Sequence, residues 1–131
     1  MVDQLENEVH YHWVEGMKFA LEAGKTSFIL NGAATVSVLT FIGNNDKESN
    51  LLVYAMGFFA LGAVTAPISL VLAYLTQLEY GNASLNPSES ATIWTKATRL
   101  HHWVYRLFFS GIILFFYGVT FAGLALYRFN I

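Results

Sequence analysis

Three stretches of the chain carry no charged residue, and the charges gather between them. Thr26 to Asn45, Leu51 to Leu78 and Leu107 to Tyr127 contain no Asp, Glu, Lys or Arg. At about 1.5 Å of rise per residue, a helix through each covers the roughly 30 Å hydrocarbon core of a bilayer. A soluble fold would have to bury three helices that are apolar all round, and no amphipathic shell remains to cover them. The pattern predicts an all-α integral membrane protein with transmembrane helices at 26–45, 51–78 and 107–127.

The segments before the first and third spans are amphipathic. In 2–24, Leu5, Val9, Trp13, Met17 and Leu21 recur every four residues, with carboxylates on the remaining surface. This helix is expected to lead into the first span with a break near Gly24. Ile93, Ala97, Leu100, Val104 and Leu107 keep a 4-3 spacing that makes 87–106 an extension of the third helix. Gly43 to Asn50 reads as a polar turn, Gly81 to Asn86 as a loop, and Asn86-Pro87-Ser88-Glu89 as a helix start. Pro67 should kink the second span.

Composition sharpens this picture. Of 131 residues, 55% are hydrophobic and 12% charged, half the charge of an ordinary soluble domain. There is no cysteine, which excludes disulfides, thiolate metal sites and cysteine nucleophiles. Asp3, Glu6, Glu8, Glu15 and Glu22 stand where a cleavable signal peptide would carry basic residues, so none is expected. Lys18, Lys25, Lys96, Arg99 and Arg106 fall on one side of the predicted membrane and only Lys47 and Arg128 on the other. That imbalance predicts a cytoplasmic N-terminus in an inner membrane. Tyr54, Tyr127 and Phe129 suit an outer aromatic belt, and Tyr80, Trp103 and Tyr105 an inner one.

Each span carries small side chains along one face: Thr26, Ala33, Ser37, Thr40 and Asn44; Ala55, Gly62, Ala66, Ser69 and Ala73; Gly111, Gly118, Ala122 and Ala125. Lipid gives helices no hydrophobic reason to associate, so small residues that let backbones approach supply the contact. One such stripe is enough for packing within a bundle; three together predict a homo-oligomer. A separate polar line, Ser27, Asn31 and Thr35, is the candidate lining of a pore. The alternative is that Asn31 hydrogen-bonds a neighbouring helix or backbone freed near Pro67. No charge lies within a span, which argues against proton pumps and ion-coupled transporters.

Lys96, Arg99, His102 and Arg106 form a basic stripe before the third span, and Glu8, His12, Glu15 and Glu22 an acidic one on the N-terminal helix. The two could pair with each other or face water, with Arg106 reaching a lipid phosphate. They could also surround an anion site for a nucleotide or oligonucleotide regulator. His10 and His12, like His101 and His102, point in divergent directions on a helix, so no metal site and no cofactor is expected. Nothing matches a hydrolase triad, phosphate loop or dinucleotide fingerprint, so the expectation is not an enzyme.

The run Ala23 to Ala34, with Lys25 ahead of Leu30-Asn31-Gly32-Ala33-Ala34 and an apolar helix ending at Gly43, resembles a segment of small three-span bacterial membrane proteins without assigned chemistry. In size and layout the chain is similar to membrane effectors of bacterial anti-phage systems, including the Hailong type. That resemblance implies an oligomeric channel controlled by a cytoplasmic nucleotide-derived ligand, and hence a role in antiviral defence. The rival expectations are a non-catalytic accessory subunit of a larger membrane complex and a haem- or quinone-binding electron carrier. A pore-former should self-assemble and conduct alone, and a haem carrier should show a Soret band.

Overall fold

A computed structural model describes the backbone of residues 2–44 and 49–129, and the side chains of Tyr11, 14–44 and 49–129. Three helices make up these residues: α1 (Val2–Asn44), α2 (Asn50–Leu85) and α3 (Ser90–Phe129). At 43, 36 and 40 residues, they are about 64, 54 and 60 Å long, well beyond a hydrocarbon core. The chain is all-α, and each helix is long and apolar enough to cross a membrane. Only 11–22% of the residues in their most apolar windows are buried, so the apolar surface points outward, as lipid requires and water forbids.

α1 runs through Gly24 without the expected break. The glycine is instead a notch: it is buried, and a Cβ there would lie 3.1 Å from Leu70 Cδ2. α2 likewise continues through the expected loop at 81–86 as far as Leu85. Ala83 is buried, the Ser84 hydroxyl donates to the Tyr80 carbonyl at 3.2 Å, and both the backbone and side-chain N–H of Asn86 close onto the Asn82 carbonyl. The connection is therefore only the turn around Pro87. α3 begins at Ser90, with the Glu89 carbonyl accepting from the N–H groups of Thr92 and Ile93. Pro67 lies inside α2 on its exposed side and does not interrupt it. The polar turn expected at Gly43 to Asn50 lies largely outside the described residues, as do the side chains of Leu5, Val9 and Trp13.

α2 and α3 form an antiparallel hairpin packed along its length. Rings meet at Tyr80–Trp94 (centroids 4.6 Å apart), Phe59–Phe115 (5.6 Å), Phe58–Tyr117 (5.6 Å) and Tyr54–Phe121 (6.1 Å). α1 leans on this hairpin mainly through α2 and barely touches α3, so α2 is central and α1 and α3 are the flanks. The burial pattern agrees. α2 buries nine residues and α3 four, whereas in α1 only Gly24 and Asn31 are buried among the described side chains.

The three small-residue faces have different fates. Ala55, Gly62, Ala66 and Ser69 of α2 are buried within the protomer, as are Gly111, Gly118 and Ala125 of α3, with Ala122 half-buried. A Cβ on Gly118 would come within 2.6 Å of the buried Phe59 ring. These two faces make the α2–α3 seam. Thr26, Ala33, Ser37, Thr40 and Asn44 of α1 are all exposed, on the side of the helix opposite Gly24 and Asn31.

Candidate functional site

The three helices meet in a small knot of neutral oxygens. Asn31 of α1 is 2% exposed, and its Nδ2 donates to the Ser27 carbonyl at 3.0 Å. The Thr35 hydroxyl donates to the Asn31 carbonyl at 2.8 Å, and the Thr65 hydroxyl to the Gly62 carbonyl at 2.8 Å. Two glycines make room. Asn31 Oδ1 fills the notch at Gly62, where a Cβ would lie 2.8 Å from Asn31 Cγ. Thr65 Oγ1 fills the notch at Gly111, 2.5 Å from where a Cβ would stand, with Ser27 Oγ at 3.7 Å from the same point.

Asn31 Oδ1 is buried and has no hydrogen-bond partner. It faces Gly62, whose missing side chain leaves the space that the oxygen occupies. An unpaired buried acceptor costs about 1–3 kcal/mol. The line Ser27–Asn31–Thr35 therefore turns toward α2 and α3, with Asn31 buried and Ser27 and Thr35 half-buried. Within the protomer the facing glycine at 62 holds the Asn31 amide in the helix contact.

The basic stripe is mostly engaged. The Lys96 ammonium pairs with the Glu79 carboxylate of α2, joining the two arms of the hairpin below their turn. His102 Nδ1 lies 2.7 Å from the Thr98 carbonyl and donates to it. The Arg106 guanidinium sits 5.2 Å over the Trp103 ring. Arg99 is exposed and, with Ala91, Thr92, Thr95 and Lys96, borders a shallow open groove on the first turns of α3. Of the four anion-binding candidates, the groove brings together Lys96 and Arg99 and leaves out His102 and Arg106.

The acidic stripe pairs locally. Glu15 meets Lys18 at 2.6 Å and Glu22 meets Lys25 at 3.0 Å, each three residues apart on α1, instead of reaching α3. The side chains of Glu8, His10 and His12 lie outside the described residues. His101 packs edge-on to Tyr105, with ring centroids 4.8 Å apart, and near Tyr80 at 6.4 Å. Among the described residues no three His, Asp or Glu side chains converge on a point that could hold a metal.

Sequence reasoning singled out neither Glu79 nor the part of Thr65 at Gly111. Only the first was accessible in principle. Glu79 is the first charge after the second span, placed to meet a cation across the turn, whereas Thr65 meets a glycine on another helix, which no spacing within its own helix announces. No protein-family model, curated protein or solved structure matches the chain.

Proposed function

We propose that the chain assembles with copies of itself into a membrane channel, its N-terminal ends on the cytoplasmic face of an inner membrane. One observation carries this reading. The outward side of α1 sets Glu22, Thr26, Ala33, Ser37, Thr40 and Asn44 beside only two large apolar side chains, Phe19 and Leu30, and all of these are exposed in the protomer, with Glu15 half-buried at its N-terminal end. A helix side meant only for lipid gains nothing from such residues, whereas one meant for a neighbouring helix or for water does. The path for ions lies between protomers, since the centre of each three-helix unit is filled by Asn31, Thr65 and the two glycines they occupy.

Control by an anionic ligand, a nucleotide or oligonucleotide, belongs to the same proposal, with Arg99 at the open groove as its first contact. The excess of Lys and Arg at the N-terminal end supports the orientation. Mass and single-channel current are to be measured on one purified preparation in nanodiscs. A conducting oligomer is the expected result, and a monomer that passes no current overturns the proposal. The rival reading, an accessory subunit docked through the same α1 side onto a different membrane protein, predicts that monomer.

A further inference from the structure

We infer that copies of this chain join side by side, the outward face of α1 in one protomer packing along the outward face of α3 in the next. The inference rests on the homo-oligomeric reading above and adds to it the surfaces that meet and their register.

α1 and α3 are the two flanks of the protomer, because each packs on α2 and they scarcely touch one another. Both run in the same direction. In a membrane all copies share one orientation, so α1 of one copy and α3 of the next run parallel at equal heights. Heights within the protomer are fixed where Ser27 meets Gly111. Residues of α1 and α3 separated along the sequence as these two are, to within one position, therefore lie level around this crossing. Toward the C-terminal ends, where the Phe41 and Phe129 rings stack with centroids 6.3 Å apart, the level separation is a few positions longer.

At that separation the exposed faces complement each other. Near the N-terminal end, Glu15 is level with Arg99 and Glu22 with Arg106. Within the protomer Glu15 and Glu22 hold only lysines of their own helix, in solvent-accessible pairs that are weak enough to share or exchange. Below them, small meets large at two levels and large meets large between them. Thr26 is level with Phe109 and Ala33 with Phe116, while Leu30 is level with Ile113, and all six are exposed. The Ser37 hydroxyl, level with Thr120, donates to its own Ala33 carbonyl at 2.8 Å and so needs no partner from outside.

Three features come together here: opposite charge at one end, a small-residue groove facing a bulky ridge along the spans, and matching height. The groove lies opposite Gly24 and Asn31 on α1, and the ridge opposite Gly111 and Gly118 on α3, so neither is occupied by the protomer itself. Every copy offers one groove and one ridge. The contact is thus head-to-tail, the kind that forms a ring when the rotation from copy to copy closes. Close helix approach through small residues supplies the attraction that lipid denies, and the charge pairs set the register.

The absence of native cysteine makes the test direct. The double variant Ala33→Cys/Phe116→Cys, oxidised in native membranes, should give a ladder of dimers, trimers and higher species, because each copy can link on both sides. Ala33→Cys alone, and Leu61→Cys on the outward side of α2, should give no dimer. If the native mass is oligomeric and the double variant gives no ladder, or if either single variant dimerises efficiently, the α1–α3 contact is wrong while the oligomer stands. A monomeric native mass removes both. As a second arm, Glu22→Arg and Arg106→Glu should each lower the oligomeric fraction several-fold, and the two together should restore it. Failure of the double reversal to restore assembly counts against the register, since a merely damaged fold would not be rescued.

Discussion

The side-chain oxygen of Asn31 lies in the notch left by Gly62 and has no hydrogen-bond partner, so these two positions cannot be changed independently. Gly62→Ala puts a methyl group into the space of a buried amide. It should cost about 1–3 kcal/mol by overpacking and loosen α1 from the hairpin. Gly123→Ala, where a Cβ meets nothing within 4 Å, should be neutral and, by helix propensity, slightly favourable. Thermal unfolding in detergent, with limited proteolysis of α1, distinguishes the two. Equal melting of both variants would show that the notch is not tight.

Asn31→Ala removes the unpaired acceptor along with its bulk. The gain of about 1–3 kcal/mol from the lost orphan oxygen opposes the cost of the void, so the single variant should change stability little. It should also make room for a methyl group on the facing helix. The double variant Asn31→Ala/Gly62→Ala is then expected to be more stable than the sum of the singles predicts. A thermodynamic cycle on the four proteins measures this, and strict additivity would mean that Asn31 and Gly62 do not touch. Asn31→Leu separates packing from conduction. With the amide buried against Gly62, the variant should loosen α1 from the hairpin; a fall in single-channel current with stability and mass unchanged would instead place Asn31 on the ion path.

The all-helical class and the presence of three helices long and apolar enough to span were legible because charge is excluded from three long windows and nothing else in the chain competes with that signal. The inward polar line was legible as a line but not as to direction. Ser27, Asn31 and Thr35 share a helix side whichever way it faces, and only the glycines at 62 and 111, on other helices, decide it. The same holds for the small faces. Gly118 and Ala33 look alike in sequence, yet Phe59 fills the first from within the protomer and leaves the second exposed. The loop expected at 81–86 failed for a local reason. Gly81 and Asn82 are poor helix formers, but the burial of Ala83 and the Asn86 cap onto Asn82 outweigh a propensity cost on the order of 1 kcal/mol.

Topology follows from charge. A reporter fused at the N-terminus should behave as cytoplasmic and one at the C-terminus as external, since five of seven cationic side chains lie with the N-terminal ends of α1 and α3. Reversal of both would invert the orientation, and finding both on one side would mean that one helix does not span.

The ion pair of Lys96 with Glu79 makes Lys96 and Arg99 unequal as anion contacts. Lys96 is already paired with a carboxylate, whereas Arg99 carries an exposed guanidinium at the groove. With ATP as the probe, Arg99→Ala should lose more affinity than Lys96→Ala. Glu79→Gln should gain some, by freeing the lysine at a stability cost of less than about 1 kcal/mol. Affinity should also fall steeply with salt, because each phosphate contact releases counterions. Arg99 is also level with Glu15 of a neighbouring copy, so a bound phosphate and that carboxylate would compete for one guanidinium. Saturating ATP should then lower the cross-linking yield of the Ala33→Cys/Phe116→Cys variant, and Arg99→Ala should abolish that effect. If the yield is indifferent to ATP while ATP still binds, the groove is a site unconnected to assembly. If Lys96→Ala and Arg99→Ala bind ATP as the parent does, the basic stripe serves only the bundle and its lipid.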